Sequence, residues 1–367
     1  MKVGFITRHA VANYGSILQS YAMQETIKNL GHESEIINYI RDDENGKNIG
    51  KTMLNRSKFW NKNVITRFVY NILQTPNYTN SFNKFSKYRK ELLQETKEYN
   101  SLEQLKNDCP NEDIYCTGSD QVWGKIGDDD YDKTYFLDFV PEGKKCISYA
   151  SSFGKEKINK NLEEKLPELL KKYSKILVRE DSAVKLLKEK EIPCEQTIDP
   201  VYLLDKEQWN KMIGNTKFNK KYILVYQLHN NKEFERYCKE FSKKVNLPLI
   251  RISISWLYMF RPGKLAFLPT PQEFMAYFRD AEYVITDSFH GTSFSLIFNK
   301  KFVDILPGET STRITSILNL TGTQDRILNN YNDFNIIKKE IDYTEVNDIL
   351  EKERKKSIKL LKDAIEG

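Results

Sequence analysis

The stretch MKVGFITRHAVANYGSILQSYAMQETIKNLGHESEIINY, residues 1–39, decides the architecture. Its opening, Met1-Lys2-Val3-Gly4-Phe5-Ile6-Thr7, reads as a strand, and a polar loop runs from Arg8 to Gly15. Ile17, Leu18, Tyr21, Ala22, Met23, Ile27 and Leu30 then recur at helical spacing, with Gly31 placed to end the helix. A second strand is expected at Glu35 to Tyr39. A strand, loop, helix and strand in this order form a parallel pair, with a right-handed crossover.

Working outward, the alternation pauses and resumes. From about Asp42 to Asn107 the chain turns to Asn, Lys, Tyr and Phe in helical stretches, including Arg67 to Leu73 and Phe82 to Tyr99, which predicts an inserted helical segment. Solvated helix faces with buried rings are its expected form, and a site for an acceptor sugar or lipid headgroup is the functional alternative. Strands are expected again at Asp113–Thr117, Cys146–Ser151, Lys175–Arg179 and Gln196–Ile198. Asp199-Pro200 marks a crossover, because the residue before proline disfavours helix. The second half repeats the pattern, with strands at Tyr222–Gln227, Leu249–Ile254, Tyr283–Thr286 and Phe302–Ile305. A chain of 367 residues exceeds one core. The expected fold is α/β: two Rossmann-like doubly wound domains facing a cleft, 1–199 with its insertion and 200–345, then a helix over 346–367.

Composition narrows the function classes. Lys and Arg number 57 against 51 Asp and Glu, so the net charge of +6 is a small difference between interspersed populations. That suits anionic small molecules or headgroups and falls short of a nucleic-acid footprint. The five cysteines have no CxxC spacing, which fits a reducing cytoplasm. No signal-peptide pattern is evident, and no apolar run approaches the roughly 20 residues of a membrane span, so any membrane contact is expected to be peripheral.

In open α/β sheets, ligands bind where strand carboxyl ends meet helix N-termini. Four segments occupy such positions. In Asn13-Tyr14-Gly15-Ser16, Gly15 permits close backbone approach and Ser16 can cap a helix facing an anion, although a turn with an N-cap explains both residues equally. In Gly118-Ser119-Asp120-Gln121-Val122-Trp123, Asp120 is either an acid–base group or an Asx-turn, and Trp123 is either core or a sugar-stacking ring. Arg179, in Val178-Arg179-Glu180, offers a planar fork for carboxylate or phosphate, or pairs with a domain acid. In Thr286-Asp287-Ser288-Phe289-His290-Gly291-Thr292, His290 stands before a helix and is either a proton-transfer group, with an acid such as Asp287 as its expected partner, or a satisfied structural histidine. Neither a metal-ligand motif nor a Cys–His pair appears, and the phosphate-loop and dinucleotide fingerprints are missing too, so no metal or cofactor is expected.

In this order, with Ser148-Tyr149-Ala150-Ser151-Ser152-Phe153-Gly154, Asp199-Pro200 and Ser311-Thr312-Arg313-Ile314, the motifs resemble the polysaccharide pyruvyl transferase family over roughly residues 1 to 330. The resemblance implies a GT-B-like fold, with an acceptor side in the first domain and a donor side in the second. It implies transfer of the carboxyvinyl unit of phosphoenolpyruvate, the donor substrate, onto a sugar of a cell-surface glycan or a lipid-linked precursor to form a pyruvate ketal. By similarity, Arg179 and Arg313 hold the anionic donor, and His290 and Asp120 are the acid and base. Ser288 and the amides near Gly291 add donors to phosphate, and Asn13, Tyr14, Gly15, Ser16, Gly118 and Ser119 complete the substrate-binding set.

Ketal-forming members carry an arginine two residues before the motif histidine, where this chain has Ser288. Arg313, Arg261 or Arg251 supplies that charge, or the donor or reaction differs. A GT-B glycosyltransferase using a nucleotide sugar and an inactive glycan-binding relative are the competing readings.

Overall fold

The computed structural model describes residues 1–126, 130–308 and 311–367. By contacts the chain divides into two units, Met1–Leu203 with Lys356–Gly367, and Leu204–Lys355.

In the first unit, β1 (Lys2–Ile6), α1 (Tyr14–Asn29) and β2 (Glu33–Ile36) open the chain. Gly31, at φ +87°, ends the helix with Gly31 N on Lys28 O and His32 N on Ile27 O. The insertion folds as α2 (Ile49–Arg56), α3 (Val64–Leu73) and α4 (Thr75–Leu92), with α5 (Leu102–Asn107) after it. The helical reading of Phe82 to Tyr99 runs too far: α4 stops at Leu92, and Glu95 and Tyr99 bridge to Ile36 and Tyr39. The open edge of β2 offers backbone partners that outweigh helix continuation. The expectation of buried rings holds on α3 for Tyr70 and fails for Phe68, which is exposed together with its neighbours Val64, Ile65 and Ile72.

The sheet resumes with β3 (Ile114–Thr117), β4 (Lys145–Ser148) and β5 (Tyr173–Lys175), with α6 (Lys160–Leu170) between the last two. All pairings are parallel, in the order β2-β1-β3-β4-β5, a doubly wound order whose direction reverses between β1 and β3. The single strand expected at Lys175–Arg179 is interrupted: β6 (Leu177–Val178) leaves the sheet to pair with β7 (Glu195–Gln196), flanking α7 (Asp181–Glu189). Trp123 belongs to the core, fully buried, stacked on Phe136 at 5.6 Å and donating Nε1–H to Tyr135 O.

The second unit runs α8 (Lys206–Ile213), β8 (Ile223–Tyr226), α9 (Lys232–Val245), β9 (Leu249–Ser253), β10 (Lys264–Phe267), α10 (Pro271–Asp280), β11 (Tyr283–Thr286), α11 (Phe289–Ile297), β12 (Lys301–Asp304) and α12 (Thr312–Leu320). Its parallel sheet has the order β10-β9-β8-β11-β12. Counted within the unit this is the Rossmann order, reversing between β8 and β11. The final helix, α13 (Tyr343–Glu366), begins in the second unit and ends in the first. Among the described residues, no helix is long and apolar enough to cross a membrane.

Candidate active site

The motif residues gather at the carboxyl ends of the strands, at the switch point of each sheet. In the first unit, Asn13 caps α1 in extended conformation and its Oδ1 accepts from Gly15 N at 2.8 Å. Ser16 follows, and its hydroxyl donates to Asp120 Oδ2 at 3.0 Å across the gap between β1 and β3. Tyr14 is buried edge-on against Phe85 of α4, so it tethers the insertion rather than facing solvent.

Asp120 is half-buried and sits at φ 81°, a left-handed conformation unusual for a residue with a side chain. Its Oδ1 accepts from Gln121 N at 2.8 Å. Gly118 lies where an added Cβ would meet Thr7 Cβ at 3.2 Å and Ile6 O at 3.3 Å, so a side chain here would push β3 and β1 apart by a few tenths of an ångström.

Arg179 pairs with acids of its own unit. It is buried and donates from Nη1 to Asp199 Oδ2 at 2.5 Å and to Ser119 Oγ at 3.2 Å, with Glu180 Oε2 3.6 Å from its Nε. Ser119 donates in turn to Asp199 Oδ2 at 3.0 Å. Two carboxylates from its own unit already compensate the guanidinium. Arg179 and Ser119 thus lock the crossover at Asp199-Pro200.

In the second unit, Ser288 is the extended N-cap of α11, and its Oγ accepts from Gly291 N at 3.4 Å. The helix therefore starts at Phe289, so His290, expected to stand before it, lies with Gly291 in its first turn. Thr286 Oγ1 donates to Tyr226 O at 2.8 Å, joining β11 to β8, and accepts from Ser288 N at 3.1 Å. An added Cβ at Gly291 would stand 2.1 Å from Thr286 Oγ1, so the glycine lets α11 press onto the strand end. Ser288 Oγ and the Gly291 amide, both expected to bind phosphate, are engaged with each other here.

His290 is 6% exposed, with its ring edge-on to Phe289 at 5.1 Å. Arg313 approaches the same Phe289 ring at 5.6 Å. The expected pairing of Asp287 with His290 is replaced by another. Asp287 accepts from Leu228 N at 2.7 Å, His229 N at 2.9 Å and His229 Nδ1 at 3.2 Å. The hydrogen bond to Asp287 raises the His229 midpoint above the usual histidine value, while burial and the charge of Arg313 act the other way. His229 follows β8 by three residues, a strand-end position visible in the sequence but passed over for the histidine beside a helix start.

Two of the arginines proposed to replace a charge at position 288 are committed elsewhere. Arg251 pairs with Glu235 at 2.5 Å and Gln227 at 2.8 Å; Arg261 pairs with the same carboxylate at 2.7 Å and lies over Tyr258. Arg313 is the one that lies against the histidine motif. Among the described residues no cluster of three or more His, Cys, Asp or Glu side chains could hold a metal ion.

The model of the polysaccharide pyruvyl transferase family matches residues 13–306. The chain belongs to that family. Every motif residue above except Arg313 falls within the matched span of this polysaccharide pyruvyl transferase family member. A search of curated proteins returns no match. Among solved structures, a UDP-N-acetylglucosamine 2-epimerase from Rickettsia bellii is similar at 12% identity and TM-score 0.55, covering 98% of this chain and 96% of its own. A putative UDP-N-acetylglucosamine 2-epimerase from Listeria monocytogenes is similar at 12% identity and TM-score 0.50, covering 96% and 90%. At such identities the likeness establishes the fold alone, which is GT-B-like with two Rossmann-like units.

Proposed function

We propose that this family member transfers the pyruvyl group of phosphoenolpyruvate to a sugar of a glycan or glycan precursor, forming a pyruvate ketal. The observation that carries the reading is the group at the second unit's switch point. There Arg313 and His290 both lie against Phe289 at the start of α11, beside the His229–Asp287 pair. A cation, a helix N-terminus and two imidazoles are the chemistry that a small anion undergoing protonation requires.

In the proposed reaction an acid protonates the methylene carbon of phosphoenolpyruvate, leaving positive character on its C2. A sugar hydroxyl adds there and loses its proton to a base, and the C2–O bond to phosphate breaks. A second hydroxyl then closes the ketal and gives up its proton, so one diol and one phosphoenolpyruvate yield one ketal and one phosphate. Arg313 and the first turn of α11 hold the donor's charges, His290 delivers the proton, and Asp120 takes a proton from the acceptor. Burial keeps the His290 ring out of bulk water, and the strained backbone at Asp120 is the kind of cost retained at working sites.

Titration calorimetry with phosphoenolpyruvate and with uridine and cytidine nucleotides tests the reading, followed by NMR detection of the new ketal methyl group and of phosphate. Phosphoenolpyruvate binding and equimolar ketal and phosphate are expected. Nucleotide binding without phosphoenolpyruvate binding would replace this reading with a nucleotide-sugar transferase.

A further inference from the structure

Helix α3 is apolar on both sides. Val69, Tyr70 and Leu73 turn inward, where Tyr70 is buried and donates to Gly50 O at 2.9 Å. On the opposite side Val64, Ile65, Phe68 and Ile72 are 80%, 75%, 65% and 56% exposed. At helical spacing these four fall within an arc of about 100°, a continuous stripe on a ten-residue helix. Phe59, also exposed, extends the stripe ahead of the helix and meets Trp60 edge-on at 5.0 Å. An apolar helix face is ordinarily buried, and this one is left in solvent.

The charge around the stripe has one sign. Every ionised side chain between Glu44 and Glu91 is a lysine or an arginine, in a chain whose net charge is only +6. Lys51, Lys58, Lys62 and Arg67 are exposed around α3. The insertion thus joins a protruding apolar ridge, an aromatic pair and a cationic rim. An apolar partner alone would not call for the rim, and an acidic partner alone would not call for the ridge.

We propose that α3 docks this chain on an anionic bilayer surface, with its exposed face among the headgroups and upper acyl chains and the cations against the lipid phosphates. Such helices lie in the interface plane, held by buried apolar area together with charge attraction. The inference is independent of the chemistry at the strand ends and rests on neither His290 nor Asp120.

Sedimentation of the full chain with vesicles tests it. Binding is expected to phosphatidylcholine vesicles that contain phosphatidylglycerol and to be much weaker on pure phosphatidylcholine, with release by high salt. Ile65→Ser with Phe68→Ser should weaken binding roughly tenfold or more, and Lys58→Gln, Lys62→Gln or Arg67→Gln about fivefold each. All are surface changes, and circular dichroism should be unaltered. Absence of wild-type binding to anionic vesicles, or unchanged binding by the serine variant, overturns the proposal. So does a wild-type dimer in analytical ultracentrifugation that the serine changes dissociate while vesicles remain unbound, which would make a second copy the occupant.

Discussion

His229 and Asp287 meet at 3.2 Å across the point where the strand order of the second sheet reverses. The carboxylate also accepts the amides of Leu228 and His229, so its position is fixed by backbone before the imidazole arrives. A fixed, nearly buried carboxylate beside a half-exposed ring favours the imidazolium. The pair stabilises the fold at pH values below the unfolded midpoint, and that contribution is lost as pH rises through the raised folded midpoint. Asp287→Asn should lower the His229 midpoint, which NMR titration of the four histidines would report. An unmoved His229 midpoint would show that the carboxylate does not govern it.

Gly291→Ala should be among the costlier single changes in the second unit. The new methyl would sit 2.1 Å from Thr286 Oγ1, the atom that ties β11 to β8 and receives the Ser288 amide. Overpacking of this kind costs about 1–3 kcal/mol. Urea unfolding should show a lower midpoint, and turnover should fall with it because His290 rides on the displaced turn.

The sheet strands were legible where both faces are buried. Ile114–Thr117, Ile223–Tyr226 and Val284–Thr286 are unbroken buried runs, and their sequence pattern admits little else. β10 was not legible: it follows Arg261-Pro262-Gly263, is a four-residue edge strand, and its short Leu265-Ala266-Phe267 run is not fully buried on either face. Strand order was equally hidden, since pairing partners leave no local mark. At the site, Asp120 and the histidine motif could be read from their place after strands, whereas the partner of Asp287 could not. Whether His229 or His290 receives that carboxylate depends on β8 and β11 being neighbours. On α3 composition gave rings and cations but not their phase, and phase decides which rings face outward.

Asp120→Asn separates chemistry from backbone. Asparagine tolerates the left-handed conformation and can still accept from Gln121 N through Oδ1, while the Ser16 hydroxyl turns from donating to Oδ2 to accepting from Nδ2, so stability should change by less than about 1 kcal/mol. Loss of a general base typically lowers rate by about a hundredfold or more. The expected result is a large fall in kcat with little change in KM for phosphoenolpyruvate; unaltered kcat would take Asp120 off the catalytic set.

Asp304 closes β12 as a fully buried carboxyl, and burial pushes it up to about 8. Its Oδ1 lies 2.7 Å from Thr292 Oγ1, which is itself 3.1 Å from Ser288 O. One hydroxyl proton cannot serve both acceptors, so a protonated Asp304 donating to Thr292, with Thr292 donating to Ser288 O, satisfies the chain of contacts. That relay anchors the first turn of α11, and with it His290, to the neighbouring strand. The unfolded carboxyl loses its proton near its ordinary value of 3.8 and the folded one at about 8. Between those limits the folded state binds more protons, so stability falls as pH rises, by up to about 1.4 kcal/mol per pH unit from this group. Asp304→Asn can make the same donation without titrating. Its stability relative to wild type should therefore climb from pH 5 to about 8 and level off above, as measured by urea unfolding across that range. A difference that stays constant with pH would mean that Asp304 is already ionised in the folded chain and that Thr292 donates to it alone.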